Sequence, residues 1–315
     1  MVIYIILGIL LALVAGGYWG FRFACSRPTE LDWEDQAALD KTMWKNHPFS
    51  IPNAVRWVRE QGAVDVSTQS HDGLTLVGKW LPAENPVATV ILFHGYQSHY
   101  VTDYGGIMPL YHKQGLNILM VRQRAHGGSE GKYITFGVKE RLDVLSWIEY
   151  HNRTYGNSPV YLSGLSMGCS TVLFAAGEKL PENVKGITAD CGFTTPAEIL
   201  AIRANTLFHF PGEILLPFVQ IFAMLLGGFS LWECDSRKTA ARATVPILFI
   251  HGKADDFVPC RMTEEAYSVC VSKKQVFLVE GAGHGMGYVT DKERIRPALL
   301  AFFRQHLSET QEEQV

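Results

Sequence analysis

The chain has 315 residues, of which 47% are hydrophobic and 19% charged, with a formal net charge of -3. This composition is ordinary for a globular protein, and the length fits one large α/β domain. A charge this small excludes a strongly basic chain of the kind that binds nucleic acid, so we expect no nucleic-acid partner. The six cysteines show neither C-x-x-C nor zinc-ligand spacing, which predicts free thiols and no metal site.

The first 21 residues, Met1 to Phe21, carry no charged side chain. About 20 apolar residues in a helix span a bilayer, and the aromatic residues at 18–23 suit the membrane interface. We predict an uncleaved single-pass anchor over residues 1–25. The alternative is a cleaved signal peptide, but a positive n-region and a clear cleavage site are missing. Arg22 and Arg27 follow the apolar run and predict a catalytic domain on the cytoplasmic side.

Residues 26–62 are predicted to be a helical linker between membrane and domain, and residues 63–310 to be the domain itself. The domain begins with alternating runs at 64–69 and 74–81, separated by His71-Asp72-Gly73, which predict a hairpin. Continuous apolar runs then alternate with helix-length segments, which is typical of parallel strands buried on both faces. The strand candidates are Val87–Phe93, Asn117–Val121, Pro159–Leu162, Val184–Thr188, Pro246–Ile250 and Gln275–Val279.

The segment between the strands at 184–188 and 246–250 is too long for a simple crossover helix. Within it, Glu213 to Trp232 is strongly apolar but interrupted by Pro217 and Gly227-Gly228. We predict an inserted helical lid at about 192–243 that covers the active site. Contact of this lid with lipid is compatible with that role, and a second membrane span is the alternative.

A serine flanked by glycines follows one of these strands. Gly164-Leu165-Ser166-Met167-Gly168 stands between the strand at 159–162 and a helix-like run from Cys169 to Ala176. This strand–turn–helix context is typical of a nucleophile elbow. Such a turn holds the serine at positive φ, and glycines two residues away avoid a steric clash. We therefore predict Ser166 as a catalytic nucleophile.

A serine hydroxyl needs a base, and the base needs an orienting acid. Gly283-His284-Gly285 follows the last strand and predicts His284 as the base. The acid is expected after the preceding strand, where Asp255 and Asp256 compete. The pattern favours Asp255, and Asp256 is expected to cap the next helix.

Two backbone amides are the candidates for an oxyanion hole. Met167 N–H begins the helix after the serine, where the helix dipole also favours negative charge. Phe93-His94-Gly95-Tyr96 follows the third strand and offers Tyr96 N–H. His94 is expected to be a structural hydrogen-bonding residue.

From about residue 64 to 306 the chain resembles the α/β-hydrolase superfamily, in its esterase, monoacylglycerol-lipase-like and prolyl-oligopeptidase-like branch. The resemblance rests on ordered motifs: His94-Gly95, Arg124-Ala125-His126-Gly127-Gly128-Ser129, Gly164–Gly168, His251-Gly252 with Asp255 and Val258-Pro259, and Gly283-His284. The apolar N-terminus and Gly131–Gly137 also resemble membrane-anchored bacterial hydrolases. One departure is Arg122, because many relatives have an aspartate two residues before the arginine of the second motif.

The resemblance implies an α/β-hydrolase fold: a mostly parallel, twisted sheet flanked by helices, with the inserted lid. It also implies a serine hydrolase that forms an acyl-enzyme through Ser166, His284 and Asp255 and needs no cofactor. The apolar insertion and anchor favour a lipophilic carboxylic ester as substrate. A peptidase or amidase of the prolyl-oligopeptidase-like type is the main alternative, and a non-catalytic binding protein is the second.

Overall fold

The computed structural model describes residues 1–209 and 211–305. Its strands are β1 Val64–Gln69, β2 Thr75–Leu81, β3 Ala88–Phe93, β4 Leu116–Val121, β5 Val160–Leu165, β6 Val184–Asp190, β7 Ile247–Gly252 and β8 Lys274–Val279. They form one sheet in the order β1-β2-β4-β3-β5-β6-β7-β8. The pairs β1/β2 and β2/β4 are antiparallel, and every other neighbouring pair is parallel. The predicted hairpin and mostly parallel sheet are confirmed.

Helices cover both faces of the sheet. They are α1 Val2–Cys25, α2 Gln36–Leu39, α3 Ile51–Glu60, α4 Tyr100–Tyr104, α5 Met108–Lys113, α6 Glu140–Tyr155, α7 Met167–Ala175, α8 Pro196–Phe208, α9 Gly212–Phe222, α10 Ser236–Ala240, α11 Arg261–Val269, α12 Gly287–Thr290 and α13 Lys292–Phe302. A π-helical turn, Ala223–Gly227, follows α9. Val90 and Leu92 of β3 pack in the apolar core on one face of the sheet, and Ile91 and Phe93 pack in the core on the other face. Because both faces are buried, apolar residues follow one another along such a strand, which explains the continuous apolar runs.

Helix α1 is the one described helix long and apolar enough to cross a membrane, with a mean hydropathy of 2.2. Most of its first 16 residues are exposed, whereas Gly17, Phe21 and Cys25 are buried. A Cβ on Gly17 would lie 2.4 Å from the Cβ of Phe218, so α1 and α9 pack at close range. The last two turns of α1 therefore belong to the folded body.

The segment 26–62 contains α2 and α3 and packs against the sheet. Trp33, Leu39, Ile51 and Val58 are buried in the same apolar core as Leu92 of β3. The Ser50 hydroxyl accepts a hydrogen bond from Asn53 N–H at the start of α3. This segment was expected to lie between the membrane and the domain, yet it forms part of the domain core because its apolar side chains are buried there.

The insertion at 192–243 contains α8, α9, the π-helical turn and α10. It forms a third apolar core with Phe21 of α1 and Met167 of α7. Thr195 caps α8 by accepting a hydrogen bond from Glu198 N–H at 3.0 Å, and Pro196 starts the helix. The predicted C-terminal boundary of the domain at residue 310 lies outside the described residues.

Candidate active site

Ser166 stands on the tight turn between β5 and α7. Its backbone has a φ of 55° and a ψ of -118°. A Cβ on Gly164 would lie 2.2 Å from Gly168 O, and a Cβ on Gly168 would lie 1.9 Å from Phe93 O. No real Cβ comes so close to a backbone atom, so this turn requires glycine at both positions.

Ser166, His284 and Asp255 form one hydrogen-bonded row. His284 Nε2 lies 2.9 Å from Ser166 Oγ, and His284 Nδ1 lies 2.7 Å from Asp255 Oδ2. The Asp255 side chain is fully buried, the serine is nearly so, and the imidazole is 24% exposed. This geometry can move a proton from the hydroxyl to the ring while the carboxylate stabilises the charged ring.

Asp256, the other candidate acid, is exposed and caps no helix. The next helix, α11, has Cys260 at its N-cap and no side-chain cap. The expectation that Asp256 caps this helix was wrong, because four residues separate it from the helix start. Asp255 instead stabilises the turn, since its Oδ1 accepts hydrogen bonds from Phe257 N–H and Val258 N–H, both at 2.9 Å.

His251 also contacts the buried carboxylate, and the sequence had not predicted it as a site residue. Its Nε2 lies 3.1 Å from Asp255 Oδ2 and 2.9 Å from Val258 O, and its Nδ1 lies 2.7 Å from Thr263 Oγ1. Burial alone would raise the pKa of Asp255, but hydrogen bonds from His251 and His284 hold that pKa well below its ordinary value. The H-G-x-x-D spacing could have indicated this contact from the sequence, because His251 lies at the end of β7, four residues before Asp255.

The two predicted oxyanion donors, Tyr96 N–H and Met167 N–H, lie in the chain segments that follow β3 and β5. Tyr96 follows Gly95, where a Cβ would lie 3.3 Å from the Cβ of Ser166, and Met167 follows Ser166 in the chain. Within residues 1–209 and 211–305, neither amide donates a hydrogen bond to another residue. Gly95 N–H donates to Asp103 Oδ2 at 2.6 Å, which holds the loop before Tyr96. The Tyr96 hydroxyl donates to Ala24 O at 2.8 Å and so ties this loop to the last turn of α1.

His94 lies beneath this loop and is fully buried. Its Nε2 accepts from Gln123 N–H at 3.2 Å, and its Nδ1 donates to Gly95 O at 2.8 Å. Burial and the neighbouring His126 lower the pKa of His94 well below its ordinary value, so the ring stays neutral. Both ring nitrogens are engaged with the backbone, which leaves no free nitrogen for proton transfer.

A cavity of about 360 Å³ opens beside Ser166. This volume lies in the range of small-molecule sites, about 300–1,000 Å³. Ser166, His284, Tyr96 and Asp190 are among the residues that line it. The residues of 43–49 that line it are Met43, Trp44, Asn46, His47, Pro48 and Phe49, whereas no described residue of the insertion at 192–243 does so. The lid role of the insertion stays a prediction.

Among residues 1–209 and 211–305, two groups of side chains come close enough together to be considered as metal ligands. Cys191 lies near Asp255 and His284, but burial raises the pKa of its thiol well above the ordinary value and keeps it protonated. The second group, His71, Asp72 and Asp143, holds the Arg124 guanidinium, which donates to both carboxylates. Asp72 and Asp143 of the second group are therefore already paired with Arg124, and the Cys191 thiol of the first group is protonated.

Comparison with known families and proteins gives one consistent answer about the fold. The family model described as alpha/beta hydrolase fold matches residues 88–237. The uncharacterized protein YqkD of Bacillus subtilis is 29% identical over 231 residues, which are 73% of this chain and 75% of that protein. The uncharacterized protein YfhR of Escherichia coli K12 is 25% identical over 229 residues, covering 70% and 73% of the two chains.

Solved structures of similar fold include an esterase and a peptidase. The esterase Pf2001 of Pyrococcus furiosus superposes with a TM-score of 0.65 at 24% identity, over 79% of this chain and 93% of its own. The acylaminoacyl peptidase of Pyrococcus horikoshii gives a TM-score of 0.57 at 16% identity, over 76% of this chain and 41% of its own. At these identities the similarity concerns the fold alone.

Proposed function

Because this chain has the α/β-hydrolase fold, we propose that it is a serine hydrolase that cleaves a lipophilic carboxylic ester. The observation that carries the proposal is the hydrogen-bonded row of Ser166, His284 and Asp255 at the carboxyl ends of the strands. In this fold a serine on the elbow after β5, an acid after β7 and a histidine after β8 follow the order of a catalytic triad.

The proposed reaction proceeds in two steps. His284 takes the proton of Ser166 as the serine attacks the ester carbonyl, and Tyr96 N–H and Met167 N–H stabilise the oxyanion. His284 then protonates the leaving alcohol, which leaves an acyl-enzyme. Water, deprotonated by His284, attacks this intermediate and releases the acid. The reaction needs no cofactor or metal.

The apolar character of the cavity supports an ester with a lipophilic acyl group. Trp44, Phe49 and Leu299 line the cavity that contains Ser166. Such side chains bind alkyl chains by the hydrophobic effect. Amide hydrolysis is the second candidate, favoured by the shared fold of the acylaminoacyl peptidase. A binding protein without catalysis would have no use for a serine hydrogen-bonded to a histidine.

We also propose that α1 anchors the enzyme in a membrane and is retained. Removal of the first 25 residues would take Phe21 and Cys25 out of the apolar core and leave the Tyr96 hydroxyl without Ala24 O. These contacts argue against a cleaved signal peptide. Arg22 in the last turn of α1 and Arg27 just after the helix favour a catalytic domain on the cytoplasmic side.

A fluorophosphonate probe, which reacts with activated serines, tests the nucleophile. We expect the wild-type protein to be labelled, Ser166→Ala to lose labelling, and Ser268→Ala to be labelled like wild type because Ser268 is exposed on α11. Labelling of Ser166→Ala, or none of wild type, would disprove the assignment of the nucleophile.

Hydrolysis rates on two substrate series test the leaving group. We expect p-nitrophenyl esters of medium chain length to be cleaved much faster than an aminoacyl p-nitroanilide. A preference for the anilide in kcat/KM would establish the amidase alternative instead.

A further inference from the structure

The wall of the active-site cavity comes from a part of the chain that precedes the sheet. Residues 43–49 lie between α2 and α3, and six of these seven residues line the cavity that contains Ser166. The insertion, where a lid was expected, contributes no described residue to the lining. Residues 43–49 thus occupy the position beside the active site that was expected for the insertion.

We infer that residues 43–49 bind the acyl chain of the substrate and determine its preferred length, an inference that rests on the proposed esterase function. Trp44, Pro48 and Phe49 offer apolar surface on this side of the cavity. Ile107, Met286 and Leu299 supply apolar surface from the rest of the domain. An acyl chain longer than an acetyl group would extend from Ser166 between these two surfaces.

Aromatic contacts hold the segment in place. The Phe49 ring lies over Gly105 and Gly106, where a Cβ would come within 2.7 Å and 3.0 Å of ring atoms. The Trp44 ring packs edge-on against Trp33 with centroids 6.0 Å apart. Trp33 is buried in the core, so Trp44 is fixed relative to the sheet.

An ion pair fixes the chain that precedes residues 43–49 to the end of β4. Arg122 is buried, and its Nη2 donates to both carboxylate oxygens of Glu30 at 2.8 Å. Glu30 in turn accepts a hydrogen bond from Trp33 Nε1 at 3.0 Å. An aspartate at position 122 would repel Glu30. The departure at Arg122 therefore belongs with the docking of this segment.

The insertion reaches only the edge of the site. The Arg203 guanidinium of α8 lies 4.0 Å from the centre of the Phe257 ring, and Phe257 lines the cavity next to His284. Trp232, an exposed tryptophan of the insertion, does not line the cavity. Trp44 and Trp232 are therefore a matched pair of tryptophans for deciding which segment selects the substrate.

The experiment compares Trp44→Ala and Trp232→Ala in the full-length, detergent-solubilised protein. The readout is the ratio of kcat/KM for p-nitrophenyl octanoate to that for p-nitrophenyl acetate. Both esters share one leaving group and one nucleophile, so a general loss of activity cancels in the ratio. We expect the ratio to fall about tenfold in Trp44→Ala, since even one methylene changes binding by about tenfold or more. In Trp232→Ala it should stay within about twofold.

Glu30→Gln provides a second variant that leaves the cavity wall itself intact. It weakens the ion pair with Arg122, so we expect the ratio to fall in the same direction, by about threefold. The inference is overturned if both Trp44→Ala and Glu30→Gln keep the wild-type ratio, or if Trp232→Ala alters it as much as Trp44→Ala. If the wild-type protein cleaves no ester of any length, the proposed function itself has failed.

Discussion

Four hydrogen-bond donors converge on the carboxylate of Asp255. Two are backbone amides on Oδ1, and two are imidazole nitrogens, from His284 and His251, on Oδ2. They hold the pKa of this buried acid well below its ordinary value, so it stays ionised where His284 needs a negative partner. Asp256, one residue further, is exposed and also lines the cavity.

This difference between neighbouring aspartates makes a matched pair of variants. We expect Asp255→Asn to lower kcat by about 10³ to 10⁴-fold with little change in KM, because the ring loses its orientation and its counter-charge. Asp256→Asn should behave like wild type. Steady-state hydrolysis of one p-nitrophenyl ester measures both. Equal losses in the two variants would mean that the acid has been misassigned.

Asp190, which also lines the cavity, has a pKa shifted in the opposite direction to that of Asp255. Among the described residues its Oδ1 is buried with no hydrogen-bond partner. Burial raises the pKa of this carboxyl to about 6. In the unfolded chain the pKa is about 3.9. Between these values the folded state binds the extra proton, so the contribution of Asp190 to stability falls as the pH rises from about 4 through about 6.

Asp190→Asn removes this titration. We take the free energy of unfolding of the variant minus that of the wild type. We expect this difference to be about 1 to 2 kcal/mol larger at pH 8 than at pH 5. Urea unfolding of both proteins in one detergent at the two pH values measures the difference. A gain that is the same at both pH values would show that the Asp190 carboxyl does not titrate in this range.

At the scale of elements, the contact between α1 and α9 depends on glycine. Gly17 faces the backbone of Phe218, and a Cβ there would lie 2.7 Å from the carbonyl carbon of that residue. Gly8, on the same helix, has no atom within 4 Å of such a Cβ. The part of α1 near Gly17 is thus a packing surface, and the part near Gly8 is free.

Alanine at the two positions separates packing from helix propensity. We expect Gly17→Ala to destabilise the protein by about 1 to 3 kcal/mol, because a backbone atom must move. Gly8→Ala should be neutral or slightly stabilising, since alanine favours the helix. Thermal unfolding in detergent compares the two variants. If both change the melting temperature alike, α1 and α9 do not pack as described.

At the scale of the whole molecule, the N-terminal region has two roles. Its apolar first half extends beyond the body, and its second half, together with residues 26–62, packs into the body and reaches the cavity. A membrane anchor at this position would hold the active site close to the lipid surface.

Two exposed positions test the proposed topology. Val2 is 66% exposed at the start of α1, and Val271 is 69% exposed before β8. With Cys260, the one half-buried cysteine, changed to serine, we expect an impermeant maleimide to label Val2→Cys but not Val271→Cys in intact cells. Permeabilised cells should label both. Labelling of Val271→Cys alone in intact cells would reverse the orientation.

The sequence by itself determined the succession of strands along the chain, the elbow around Ser166 and the composition of α1. These features arise from local rules: apolar periodicity, glycine at a crowded turn, and an uncharged run of helical length. It also predicted His284 and Asp255 as partners of Ser166, from the order serine, acid, histidine that is typical of α/β-hydrolases.

Only the tertiary structure decided which surfaces face the serine. Arg122 pairs with Glu30 across 92 residues of chain. The cavity wall at 43–49 likewise depends on the packing of Trp33 and Phe49 against distant glycines and side chains. Such contacts follow from the three-dimensional arrangement of remote segments, and no local pattern in the sequence encodes them.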